Sequence, residues 1–330
     1  MRKTALPALL AGAALLLTAC GTTEDAADAP SESSSAAAGG ETITIEDDRG
    51  TVELDGPATN VVSLEWGLTE NLLTLGVTPV GAADVVGYNT WDTIVPLDES
   101  TPDVGMRGEP SLDAISALDP DLVVTTTDLP AEVIEQIEAE YPVIALRGSD
   151  ASDPIGKMRR TLEILGEATG TSDAAEAALA DYDAAVEDAT TALDEAGVAG
   201  ASITVADGWL ADGAVSIRMY TPGSFLGGVA GELGLENAWT GEGDPDYGLA
   251  QTDVEGLTGL GEDVHFLYVA NDTDGGDAFK DGLAGNAIWE QLPFVVAGNT
   301  SRLPDGIWMF GGPESAAAFI DATVAALTAS

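Results

Sequence analysis

Two periodicities alternate along the chain. Residues 42–45 and 52–54 alternate apolar and polar positions around Asp48-Arg49-Gly50, which predicts an opening hairpin. Short apolar runs at 61–64, 79–83, 122–124 and 142–146 have the length of buried strands. Segments with apolar residues at helical spacing lie between them, at 68–75, 111–118 and 129–140, with Gly76 closing the first. A loop carrying Tyr88 and Trp91 precedes a Gly-rich turn that holds Arg107. After a helical stretch at 154–165, residues 172–196 form one long helix with the apolar face Leu179, Tyr182, Val186, Ala189, Leu193. Asp173 and Glu176 make a capping pattern at its start and Gly197 stops it, which gives a rod roughly 35 Å long. Such a helix serves either as a stiff connector between two α/β halves or as an ordinary helix packed on one sheet. From Gly200 the alternation resumes: a strand at 203–206, a helix at 223–233, a helical stretch at 253–260 and a strand at 264–270. Short strands are expected at 294–297 and 302–303, and a closing helix at 313–327 with Pro313 in its first turn. Repeated strand–helix alternation predicts parallel sheets covered by helices, and no short-period repeat is present.

The N-terminus is of another kind. Arg2 and Lys3 precede an apolar run at 6–17, and Leu17-Thr18-Ala19-Cys20 follows. This is the pattern of a secretory signal peptide over residues 1–19, and the tetrad resembles the bacterial lipobox, which implies cleavage before Cys20 and its lipidation. Residues 20–40 contain no large apolar side chain after Cys20 and read as a lipidated cysteine with a disordered tether. The expected division is then an N-terminal α/β lobe at 41–150, a helical segment at 151–199 and a C-terminal α/β lobe at 200–330. Cys20 is the one cysteine, so disulfides and thiol catalysis are excluded.

Charge narrows the ligand. The sequence has 57 acidic and 11 basic residues; loss of Arg2 and Lys3 with the signal peptide leaves a net charge of −48. Such a surface repels nucleic acid and disfavours strongly anionic free ligands. His265 is the lone histidine and lies in an apolar run, no Gly-x-Ser-x-Gly elbow is present, and no Gly-rich loop ends in Lys-Ser/Thr. These absences speak against a Ser-His-Asp hydrolase, a zinc site and a nucleotide-binding loop. Asn271-Asp272-Thr273-Asp274-Gly275 is a fragment of a calcium loop without its closing glutamate. The residue types that remain suit a binding protein. Trp66, Trp91, Tyr247, Trp308 and Phe310 sit at loop positions next to predicted strand ends, where α/β folds bind ligands. Arg107 offers a planar fork to delocalised oxygens, or alternatively forms an ion pair with a neighbour such as Glu109.

Four stretches together resemble the iron–siderophore substrate-binding lipoproteins of ABC importers, most closely their ferric hydroxamate-binding branch. They are VVSLEWGLTENLLTLGVTPVGAAD from Val61, DVGMRGEPSLDAISALDPDLVV from Asp103, LGLENAWTGEGDPDYG from Leu233 and WEQLPFVVAGNTSRLPDGIWMFGGPESAAAFIDA from Trp289. The resemblance implies two Rossmann-like α/β lobes joined by one long α-helix, with the ligand in the cleft between them. It assigns Arg107 to the hydroxamate oxygens around the iron, and Trp66, Trp91, Tyr247 and Trp308 to the cleft wall, where Phe310 is a further candidate from its loop position. The branch carries a tyrosine near positions 128–129, where this chain has Thr-Asp-Leu-Pro, and Arg218 is the candidate for the missing polar contact, or else a surface ion pair. Asp113 and Glu255 match the acidic residues that dock on the permease, with Glu109 an alternative to Asp113. Iron would arrive already chelated, so no cofactor is expected. The partners implied are a ferric siderophore, the ABC permease with its ATPase, and the membrane reached through the lipid anchor. The receptor is expected to be a monomer on the outer face of the membrane. Haem or cobalamin is the alternative ligand in the same fold, with Tyr88 or Tyr247 as an axial ligand.

Overall fold

The strands and helices of the computed structural model are described for residues 42–211 and 213–329. The signal peptide, Cys20 and the tether lie outside these residues. The chain opens with a hairpin, β1 (Ile43–Glu46) and β2 (Thr51–Leu54), whose turn is closed by the Asp47 carboxylate accepting from the N–H groups of Arg49 and Gly50. The first half then runs β3 (Val61–Ser63), α1 (Trp66–Thr74), β4 (Gly81–Ala82), α2 (Val85–Trp91), β5 (Gly105–Met106), β6 (Glu109–Pro110), α3 (Leu112–Ser116), β7 (Leu122–Thr126), α4 (Ala131–Glu138) and β8 (Val143–Leu146). Its sheet has the order β4-β3-β7-β8 and is parallel throughout. Every residue of β3, β7 and β8 is buried, as a parallel sheet covered on both faces requires.

Two helices carry the chain across: α5 (Pro154–Thr169) and α6 (Ser172–Glu195). Leu179, Tyr182, Ala189 and Leu193 form the buried stripe of α6, which packs against α5 and against α1 of the first half. The second half runs β9 (Ser202–Ala211), β10 (Ala214–Tyr220), α7 (Phe225–Glu232), β11 (Glu236–Asn237), β12 (Leu249–Thr252), a 3-10 turn (Gly256–Gly259), β13 (His265–Val269), α8 (Pro293–Ala297), β14 (Thr300–Arg302) and α9 (Pro313–Thr328). α9 lies along α6, so the long helix touches elements of both halves. The second sheet has the order β12-β10-β9-β13-β14, with β11 beside the start of β9. It is mixed: β9, β13 and β14 are parallel, while β10 and β12 run antiparallel to their neighbours.

Several elements differ from the sequence pattern, for local reasons. Tyr88 and Trp91 lie on a helix rather than in a loop, because the Asp84 side chain accepts from Gly87 N and starts α2. Helix α1 begins at Trp66, capped by Glu65, so Trp66 is its first residue. Residues 294–297 are helical and not extended, since Pro293 presets the first turn and Gly298 ends it in the left-handed region at φ 81°. The stretch at 253–260 keeps only one 3-10 turn. Strand β10, absent from the sequence reading, forms the long hairpin with β9.

Candidate functional site

In parallel α/β sheets the loops beyond the carboxyl ends of the strands converge on ligands. Here Glu65 and Trp66 follow β3, Arg147 follows β8, and Asn271 follows β13; all three positions open onto one cavity of about 750 Å³. The cavity is bounded by both halves, and Trp66, Trp91, Arg107, Arg218, Tyr247, Trp308 and Phe310 all line it.

Arg107 occupies the two-residue turn between β5 and β6. Its guanidinium lies over the Trp66 ring, 3.9 Å from the centroid, and 5.5 Å from that of Trp308. Nη1 donates to Glu65 Oε1 at 2.7 Å. The ion-pair partner is therefore Glu65 and not the adjacent Glu109, whose side chain is exposed. Glu65 also accepts from Trp66 N at 3.0 Å, so one carboxylate starts α1 and fixes the arginine. Burial raises the Glu65 carboxyl above its ordinary range, and the Arg107 charge opposes that shift.

Arg218 answers from the second half. It stands opposite Asp207 in the register of the β9–β10 hairpin. Nε and Nη2 bind the two Asp207 oxygens at 2.9 and 2.5 Å, and Nη2 also reaches the Tyr220 hydroxyl at 3.1 Å. Burial raises the Asp207 carboxyl, against the pull of Arg218. The pair lies in the cavity wall and is not a surface ion pair among scattered acids.

The aromatic residues form a continuous wall. Trp66 meets Trp308 edge-on at 4.9 Å, Trp308 meets Phe310 at 5.3 Å, and Phe310 meets Tyr247 at 5.6 Å. Gly67 permits this approach: a Cβ there would come within 2.5 Å of the Phe310 carbonyl oxygen. Two polar contacts tie the halves at the rim. Trp91 Nε1 donates to Asp274 Oδ2 at 2.9 Å, and the Asn271 amide donates to the Thr90 carbonyl at 2.7 Å. The Tyr247 hydroxyl donates to Asp128, so a phenol reaches the 126–129 segment from the opposite half, although that segment has no tyrosine of its own.

Sequence reasoning missed Glu65, Asp207, Trp209 and Lys157, which share the wall. The pairing of Asp207 with Arg218 was within reach of the sequence through the alternation of VSIRMY, which reads as a strand returning against β9. Lys157 donates to Thr161 Oγ1 at 2.6 Å, and burial draws it down to about 8. Tyr88 is no candidate for an axial ligand, being fully buried with its hydroxyl bonded to the Val95 carbonyl at 2.6 Å. His265 is half-buried at the start of β13 and does not line the cavity. In the 271–275 loop, Asn271 Oδ1 accepts from the backbone of Thr273 and Asp274, which makes a tight side-chain-closed turn. Asp113 and Glu255 are exposed and lie outside the cavity wall, on α3 and at the start of the 3-10 turn.

The chain is similar to the iron(3+)-hydroxamate-binding protein FhuD of Escherichia coli (strain K12), with 28% identity over 260 residues covering 79% of this chain and 84% of that protein. It is similar to the probable siderophore-binding lipoprotein YfiY of Bacillus subtilis (strain 168) at 24% identity over 318 residues, covering 93% of this chain and 92% of the relative. Among solved structures, the Fe3+–Desferal-bound siderophore-binding protein FhuD from Vibrio cholerae superposes with a TM-score of 0.71 at 25% identity, over 82% of this chain and 98% of that one. With a match to the family model over residues 61–305, the chain belongs to the periplasmic binding protein family.

Proposed function

We propose that the protein captures a ferric siderophore of the hydroxamate type in this cleft and passes it to an ABC permease at the outer face of the membrane, where the lipidated Cys20 tethers it. The observation that carries this reading is the pair of arginines, one from each half, set against an aromatic wall in a single cavity. The relatives named for ferric hydroxamate and for Fe3+–Desferal support the ligand class. Iron in such a complex is already saturated by the chelator's oxygens, so the protein's part is to hold the shell. Arg107 donates only through Nη1 to protein among the described residues, which leaves Nε and Nη2 for hydroxamate oxygens. Trp66, Trp91, Tyr247, Trp308 and Phe310 enclose the apolar chelator backbone, and Arg218 supplies a second donor. Asp113 on one half and Glu255 on the other present the acids that meet permease arginines, and both are exposed as that role requires.

The test is a titration with ferric Desferal, read by tryptophan fluorescence, since four of the wall residues are tryptophans. Saturable quenching at micromolar chelate is expected. No quenching, together with a Soret shift on adding hemin, would replace the ligand class. Reversing the charge of Asp113 and Glu255 together is expected to abolish iron uptake and to leave chelate binding intact; normal uptake would remove the docking assignment.

A further inference from the structure

We infer that Glu65 and Asp207 act as a charge filter: by cancelling Arg107 and Arg218 in place, they make the cleft accept neutral or singly cationic ferric complexes and reject polyanionic ones. The inference rests on the proposed function and names the ligand's charge. Each pocket arginine carries its own carboxylate, Glu65 at 2.7 Å and Asp207 at 2.5 Å. Neither carboxylate is free to swing away. Glu65 is anchored by the first N–H of α1, and Asp207 is held cross-strand in the β9–β10 register with both oxygens engaged. Both arginines keep N–H groups without a protein acceptor among the described residues: Nε and Nη2 of Arg107, and Nη1 of Arg218. They can therefore donate hydrogen bonds to a ligand without offering it net positive charge.

The other charges of the wall agree, except for Lys157, a cation with no carboxylate partner among the described residues. Arg147 is already paired with Asp150 and Asp246, at 2.8 and 3.3 Å. Asp274 contributes a further carboxylate beside Trp91, and Lys157 is the cation held least firmly, with burial lowering it to about 8. A trianionic complex entering this wall meets fixed carboxylates at both places where it finds donors, and that repulsion is the selecting element.

The experiment compares three chelates on the full protein. Ferric Desferal carries one terminal ammonium, its N-acetylated form has the same iron shell and no charge, and a ferric tricatecholate chelate carries three negative charges. The variants are Glu65→Gln, whose amide oxygen can accept both existing hydrogen bonds, and Asp207→Asn, which keeps one of the two oxygens that bind Arg218, with Glu187→Gln at an exposed position of α6 as a control for the general loss of one acid. The wild type is expected to bind both hydroxamates and to discriminate against the tricatecholate. Each filter variant is expected to shift the tricatecholate-to-Desferal affinity ratio by about tenfold or more towards the anion, and Glu187→Gln to leave it unchanged. Unchanged ratios in both filter variants, or a wild type that prefers the tricatecholate, would overturn the filter. A wild type that binds no ferric chelate would overturn the proposed function instead. If one variant fails to fold, the other and the wild-type preference still decide, because the two pairs lie in different halves.

Discussion

At the scale of single residues, the site turns on how Arg107 is held. Its guanidinium is stacked on Trp66 and tied to Glu65, so little side-chain freedom remains to be lost on binding. Arg107→Ala is expected to weaken ferric Desferal binding by about 1.5–3 kcal/mol, the range for a hydrogen bond to a charged group, as read by fluorescence titration. Arg107→Lys keeps the charge and loses the planar fork, and is expected to recover less than half of that loss. Full recovery by lysine would mean that charge alone matters. Removing Arg107 also strands Glu65, so Arg107→Ala is expected to lower stability, and Glu65→Gln in the same chain to restore part of it. A chain with few cations makes Arg107 conspicuous in the sequence. Its partner was illegible because Glu65 is 42 residues away and no local rule joins a helix cap to a distant hairpin turn.

The elements show a second polar joint that no sequence period reveals. Glu70 on α1 and Asp92 at the end of α2 are fully buried, and Glu70 accepts from Ser315 N and Oγ at 2.9 and 3.0 Å, capping the first turn of α9 from the other half. Asp92 Oδ2 has no hydrogen-bond partner among the described residues. Burial pushes the Asp92 carboxyl up to about 6, while burial and then the Asp92 charge hold Glu70 well above its ordinary range. The folded protein thus keeps a proton on Asp92 where the unfolded chain, at about 3.9, has lost it. The contribution to stability is complete below pH ~4, falls as pH rises to about 6, and is level above. Asp92→Asn removes this loss, and is expected to be more stable than wild type above pH ~6, with the difference vanishing near pH ~4. Urea unfolding at the two ends of that window checks it; a variant less stable at neutral pH would mean that the ionised carboxylate is needed. The parallel strands were legible because burial on both faces makes them short continuous apolar runs, and the long helix because its buried stripe follows a period of 3.6. α8 and α2 were not, since one proline and one aspartate cap override weak local preference in helices of five and seven residues.

On the scale of the whole molecule, the same acidity that the filter uses locally acts on folding and on encounter, with opposite dependence on salt. The full sequence bears a net charge of −46, and among the described residues only ten carboxylates have a basic partner. At 0.1 M salt, charges within about 10 Å still repel one another, and at 1 M the range contracts to about 3 Å. Self-repulsion weakens the compact state, so the melting temperature is expected to rise by roughly 3–8 °C between those salt concentrations. Screening also removes the long-range attraction that gathers a cationic ligand. The association rate of ferric Desferal is therefore expected to fall with salt over the same range, while that of its uncharged N-acetylated form stays nearly constant. Stopped-flow fluorescence on the two chelates separates the effects, because they share one iron shell and one set of wall contacts. A parallel fall for both chelates would assign the salt effect to the cleft itself, and equal rates at every salt concentration would mean that the protein's acidity plays no part in capture. The charge pattern that disfavours free anions from a distance would then reduce to the two carboxylates that stand beside Arg107 and Arg218.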